Sequence, residues 1–178
     1  MDRESWQFIN TFAPWLSALG TLGVVVVSLW LAFRGMPTRI KVSAGNRIIV
    51  GGIRPYPDYL VISIVNVGQR KVRITGIGWK IGWFKKSYAM QNPDINPFSS
   101  SIPVDLDESQ EAKFLIPLKG EADWLNNFAH DFLGKRPRLN CSSIKIQAWT
   151  SVGKVFESRI EAGLRKKILE AYLEQNKK

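Results

Sequence analysis

The chain has 178 residues, a formal charge of +10, a single cysteine and a single histidine. One cysteine excludes a disulfide framework and one histidine excludes a paired-histidine metal centre, so neither a disulfide-stapled secreted scaffold nor a conventional metalloprotease fits. The length suits one modest domain plus a further segment.

That segment opens the chain. No charged side chain occurs from Ser5 to Phe33, and "WLSALGTLGVVVVSLWLAF" supplies 19 mostly apolar residues from Trp15 to Phe33. As a helix this stretch is about 28 Å long, close to the ~30 Å hydrocarbon layer. A signal peptide would start with basic residues and end at a small-x-small site, whereas "MDRES" is net acidic and "LAFRGM" carries no such site. Trp6, Trp15 and Trp30 suit the interfacial belts. The expectation is a short tail over 1–12, a transmembrane helix over 13–33 and a linker over 34–37. Ala13, Ser17 and Thr21 lie four apart with Gly20 and Gly23 nearby, a spacing that permits homo-oligomer contact through the helix.

Orientation follows from the flanks. Arg3 stands alone beside Asp2 and Glu4, whereas Arg34, Arg39, Lys41, Arg47 and Arg54 follow the apolar run with no acid between them. The positive-inside rule places the main domain in the cytoplasm, at an inner membrane, with the N-terminus outside. Four linker residues reach at most ~14 Å. These five basic residues, with Trp15 and Trp30, are the expected membrane-surface set, and the anionic membrane is the nearest partner.

In "TRIKVSAGNRIIV" apolar and basic residues alternate, and Gly45-Asn46 predicts a hairpin turn. "YLVISIVNVG" is apolar at both parities, as in a strand covered on two sides. Across "RKVRITGIGWKIG" the apolar face shifts phase at Gly76, which predicts a β-bulge. "GWFKKSYAM" reads as a further strand, with Trp83 expected in the core beside solvated Lys85 and Lys86 and an interfacial Trp83-Phe84 pair as the alternative. "QNPDINPFSSSIP" is a loop and "EAKFLIPL" a strand.

Trp124, Leu125, Phe128, Ala129, Phe132 and Leu133 recur at helical spacing before Gly134, predicting an inserted amphipathic helix with His130 on its surface. "SSIKIQAWTSVGKVFESRI" predicts a final hairpin turned at Val152-Gly153. Ile160, Leu164, Ile168 and Tyr172, four apart, predict a C-terminal helix that could dock on the domain, a membrane or another protein. The fold class is mainly β: a β-sandwich over 38–159, then an amphipathic helix and tail over 160–178.

"LVISIVNVGQRKVRITGIGW" and "IKIQAWTSVGKVFES" together resemble a recurrent type of small bacterial protein with one N-terminal span followed by an immunoglobulin-like sandwich. The resemblance implies architecture and no catalytic residue.

Candidate chemistry is sparse. Asp105, Asp107, Glu108 and Glu111 lack EF-hand spacing and read as a solvated turn. Neither "GNRIIVGG" nor "GIGWKIG" is a phosphate-cradling loop. Cys141 reads as a small core residue. No catalytic, cofactor-binding or metal-binding residue is assigned, no cofactor is expected, and the chain is expected not to be an enzyme. Arg70, Lys71, Arg73, Lys80, Lys85 and Lys86 form a second basic stretch without an acid, a candidate anionic-partner patch. Basic residues interleaved with aromatics can also neutralise phosphates and stack on bases, but no nucleic-acid motif accompanies them. The expected function is a membrane-anchored, non-enzymatic interaction module that binds another protein. An inverted, periplasmic envelope domain and a tethered nucleic-acid binder are the alternatives.

Overall fold

The computed structural model describes residues 3–33, 37–50, 56–83, 85–93, 98–120, 123–134 and 136–176. The chain divides into two compact units, Met1–Pro37 and Thr38–Lys178.

The first unit is the helix α1, Arg3–Phe33. It begins ten residues before the expected 13–33, so the described part of the expected tail is helical. No glycine or proline in 3–12 breaks the helix. Pro14 lies inside it. Pro14–Ala32 is long and apolar enough to cross a membrane, and its side chains are exposed.

The second unit is mainly β. A three-stranded antiparallel sheet has the order β1 (Ile40–Ile48), β2 (Asp58–Asn66), β6 (Glu111–Pro117). A five-stranded antiparallel sheet is built from β4 (Ser87–Gln91), β3 (Val72–Ile81), β7 (Lys145–Thr150) and β8 (Val155–Arg159), with the short β5 (Val104–Leu106) also paired to β3. Inner residues of both sheets, among them Ile62, Ile64, Phe114, Ile77, Trp79 and Ile146, share one core. Alternation drives this: in β2, Leu60, Ile62, Ile64 and Asn66 are buried while the residues between them are half-buried.

The crossover from β2 to β3 is held by the buried Asn66. Its Nδ2 donates to the carbonyls of Arg70 (2.7 Å) and Leu106 (3.0 Å), and its Oδ1 accepts from the Gly68 N–H (3.0 Å). The expected bulge is present, because the β3/β7 register shifts between Ile74 and Gly76. Past it Ile77, Trp79 and Ile81 face inward.

Three local expectations are corrected. Gly45 and Asn46 do not turn the chain: β1 pairs with β2 without a break from Ile40↔Asn66 to Ile48↔Asp58. Gly45 serves a close approach instead, since a Cβ there would stand 2.2 Å from Glu161 Oε2. "GWFKKSYAM" is not one strand, because the chain turns after β3 at Gly82 (φ 103°) and resumes as β4. Trp83 lies in that turn and is 68% exposed, while Trp79 takes the core position.

Helix α2 (Trp124–Leu133) buries Leu125, Phe128, Ala129 and Leu133 and ends at Gly134. A second inserted helix, α3 (Pro137–Ser143), was not expected; it is short and starts on a proline, which suits the first helical position. Helix α4 (Ala162–Gln175) docks on the domain through the buried Leu164, Ile168 and Ala171, which settles the open placement of the C-terminal helix.

Candidate functional site

The strands carry charge to two opposite ends of the domain. At the end where Thr38 enters, Arg39 and Lys41 are exposed, and the Arg39 carbonyl accepts from the Val67 N–H (3.0 Å). Arg70 lies in the nearby crossover. Lys71 there stands 3.8 Å from Asp105 and 3.6 Å from Asp107, and Arg73 stands 3.7 Å from Asp105. The acidic turn therefore offsets the basic residues opposite it. Glu111 accepts from Ser63 Oγ (2.6 Å) and pairs with Lys113 (3.0 Å), and these contacts hold its carboxyl below the usual range.

Lys80, Lys85 and Lys86 belong to the other end. Arg73 and Lys80 are seven positions apart on β3, about 23 Å. The six residues of the expected patch are thus divided, because β3 carries its two basic groups to opposite ends of the sheet. The membrane-surface set divides as well. Arg34 and Arg54 lie outside the described residues, Trp15 and Trp30 are exposed on α1, and Arg47 sits at the far end of β1. There it grips Glu161 with two bonds of 2.6 Å, and the Glu161 N–H donates to the Ala44 carbonyl (2.9 Å). Arg47 therefore fastens the start of α4 to β1.

The far end is the more developed site. On the outer face of the five-stranded sheet, Glu157 accepts from Lys80 (2.7 Å), Lys145 (2.5 Å) and Gln147 (3.2 Å). The two lysines hold the Glu157 carboxyl down to about 2. Gln147 is buried between strands, and its Oε1 has no partner among the described residues.

Beside this network the turn after β3 is pinned. Ser143 Oγ accepts from the Gly82 N–H (2.8 Å) and donates to the Asn140 carbonyl (2.8 Å), tying the turn to α3. A Cβ on Gly82 would lie 2.1 Å from the Lys85 carbonyl oxygen, so the turn requires glycine. Trp83 projects from it between two hollows. One, of about 320 Å³, is lined by Lys80, Lys86, Lys145 and Arg159 with Ser142 and Ser143. The other, of about 560 Å³, is lined by Lys85, Arg136, Leu139 and Asn140.

Lys145, Arg159 and Glu157 were not marked by the sequence, since only the β3/β7 and β7/β8 registers set them beside Lys80, and Arg136, at the start of α3, was not marked either. The outward parity of "KIQAWT" and "VFESR" was the available signal.

A third hollow, between β4 and α2, is aromatic. Trp124, Phe128 and Phe132 stack in sequence and Trp79 meets Trp124 tilted and Phe128 edge-on, with ring centroids 4.6 to 5.6 Å apart. Gln91 Oε1 accepts from both indoles, Trp79 (2.9 Å) and Trp124 (3.0 Å).

His130 is exposed beside Asp131 (3.1 Å). Cys141 is buried; its thiol donates to the Arg165 carbonyl (3.2 Å), and burial pushes its pKa up. Among the described residues no three His, Cys, Asp or Glu side chains form a metal-holding group.

No protein-family model and no curated protein matches the chain. Among solved structures, Northeast Structural Genomics Consortium target SoR45 is 12% identical, with a TM-score of 0.32 over 68% of this chain and 82% of that one. A structure described as the ApaA protein of Bordetella pertussis is 14% identical, with a TM-score of 0.29 over 71% of this chain and 91% of that one. At that level of likeness neither carries an argument about fold or function.

Proposed function

We propose that the protein is a membrane-anchored, non-enzymatic interaction module. In this reading α1 crosses a bacterial inner membrane once and an immunoglobulin-like sandwich is displayed on the cytoplasmic side. One observation carries the reading. The apolar side chains of Pro14–Ala32 are exposed all around the helix, a surface that water does not tolerate and lipid does. The helix is long enough for the hydrocarbon layer, and the basic residues lie on its C-terminal side. The immunoglobulin-like assignment is supported by two packed antiparallel sheets, with consecutive β2 and β3 in different sheets.

A binding role is favoured over a chemical one by how the reactive groups are used. The Cys141 thiol is buried and its pKa raised, the opposite of an activated nucleophile. The seryl hydroxyl of Ser143 is spent on holding the turn. The lysine-glutamate network is, by contrast, arranged as a recognition surface.

The test is a pair of C-terminal fusions, one reporter active only in the cytoplasm and one only outside it, with alkaline extraction of the membranes. Cytoplasmic signal in an extraction-resistant fraction is expected. Signal from the outside reporter would overturn the orientation, and release by alkali would overturn the span.

A further inference from the structure

We propose that the hollows flanking Trp83 form a binding site for a soluble phosphorylated small molecule. Its phosphate occupies the smaller, cationic hollow and its ring or apolar body packs on the indole.

The charge balance comes first. Lys80, Lys86, Lys145 and Arg159 converge on about 320 Å³, and Glu157 is the acid of that network. Among the described residues no acid pairs with Lys86 or Arg159. Four cations lining one hollow, two of them held by Glu157, repel each other, and a doubly charged phosphate offsets that repulsion. Lys80 and Lys145 keep only 20% and 35% of their side-chain surface in water, so attraction to an anion there is screened less than on an open face.

Preorganisation comes second. Glu157 takes one bond from each of the two lysines, and an ammonium has three donors, so both arrive already aimed with donors to spare. Ser143 and Gly82 hold the turn that carries Trp83, so an ordering cost that an exposed tryptophan on a loose loop would incur is already met.

Shape comes third. The larger hollow, about 560 Å³, shares Gly82 and Trp83 with the smaller one and continues along Leu139. That volume lies in the range of small-molecule sites. Lys85 and Arg136 line it too, so a second anionic group on the ligand has partners. The common chemistry is a phosphate ester, which a metabolite or a lipid headgroup could present. The site lies at the end of the strands opposite Thr38, about 30 Å along β3, and we assign the soluble source. The choice of a soluble source rests on the reading of α1 as a membrane anchor, whereas the cationic hollow itself does not, and the proposal holds for either topology.

The test is calorimetric titration of the full chain in uncharged maltoside micelles with three probes: pyrophosphate, ATP and dihexanoyl-phosphatidylglycerol. Saturable binding of ATP and pyrophosphate that weakens with salt is expected. Lys86→Gln combined with Arg159→Gln should lower both affinities tenfold or more. Both side chains are exposed, and circular dichroism checks that the variant remains folded. Trp83→Ala should weaken ATP at least fivefold and leave pyrophosphate unchanged. Binding of the lipid probe alone would overturn the soluble source. Absence of saturable binding by all three, or binding indifferent to both variants, would overturn the site.

Discussion

Glu157 shows how much one side chain organises here. It draws Lys80 and Lys145 together across β3, β7 and β8, and its carboxyl is held at about 2 against an ordinary 4.5. A carboxyl lowered in the folded state stabilises above its unfolded pKa, and the contribution is lost as pH falls through the folded value. The domain should therefore lose stability between pH 4.5 and 2 partly through this group. In Glu157→Gln that part of the decline should flatten, measured as the denaturant midpoint against pH; an unchanged profile would refute the assignment. Gly78 is the steric counterpart. Trp149 lies across it, and a Cβ would meet the Ala89 carbonyl oxygen at 2.3 Å and the indole at 2.4 Å. Gly78→Ala is expected to destabilise by about 1–3 kcal/mol, as overpacking does, read as a lowered unfolding midpoint. Neither effect is visible in the sequence, because Lys80 meets Glu157, and Gly78 meets Trp149 and Ala89, only through strand register.

Among the elements, α4 is the one whose role the chain pattern left open. The spacing of Ile160, Leu164, Ile168 and Tyr172 announces a helix with one apolar face, and such a face is satisfied equally by a sandwich, a lipid surface or another helix. Tertiary structure chooses the sandwich: Leu164 and Ile168 are fully buried, Tyr172 donates to the Gly134 carbonyl (2.8 Å), and Arg47 holds Glu161. Leu164→Ala should cost about 2–5 kcal/mol and lower the unfolding midpoint of the whole domain, whereas a peripheral helix would fray alone and leave the midpoint in place. Removing the Arg47–Glu161 clip should cost far less, about 0.2–1 kcal/mol, because both groups are exposed.

Other elements were legible to differing degrees for physical reasons. The β7/β8 hairpin and the bulge at Gly76 follow from local alternation and glycine placement. The supposed turn at Gly45-Asn46 failed because a glycine can mark a close approach as well as a bend, and only the position of Glu161 distinguishes the two. Helix α3 and strand β5 are too short to show a period. Of the candidate site, Lys80, Lys85 and Lys86 were legible as a run of charge. Trp83 was misassigned to the core, since alternation past Gly82 gives no hint that the chain leaves the sheet there.

At the scale of the molecule, the apolar helix and the β domain meet different requirements. Placing Arg at both Val24 and Val26 adds about 2.5–3.5 kcal/mol per residue to insertion at the centre of a span. The double variant is expected to leave the alkali-resistant membrane fraction, while the denaturant midpoint of the β domain stays unchanged. Retention in the membrane would show that α1 does not cross it.

The sequence alone determined what depends on neighbours along the chain: a long uncharged apolar helix, the sign of its flanks, alternating strands, and the amphipathic faces of α2 and α4. Each is a period or a sum over consecutive residues, and a period needs no partner to be read. The tertiary structure decided what depends on residues distant in sequence. It parted Lys71 and Arg73 from Lys80, matched the former with Asp105 and Asp107, and gathered Lys80 and Lys145 on Glu157, with Arg159 lining the same hollow beside an exposed Trp83. Electrostatic sites are built from distances, and those distances are set by sheet register, which no run of adjacent residues encodes.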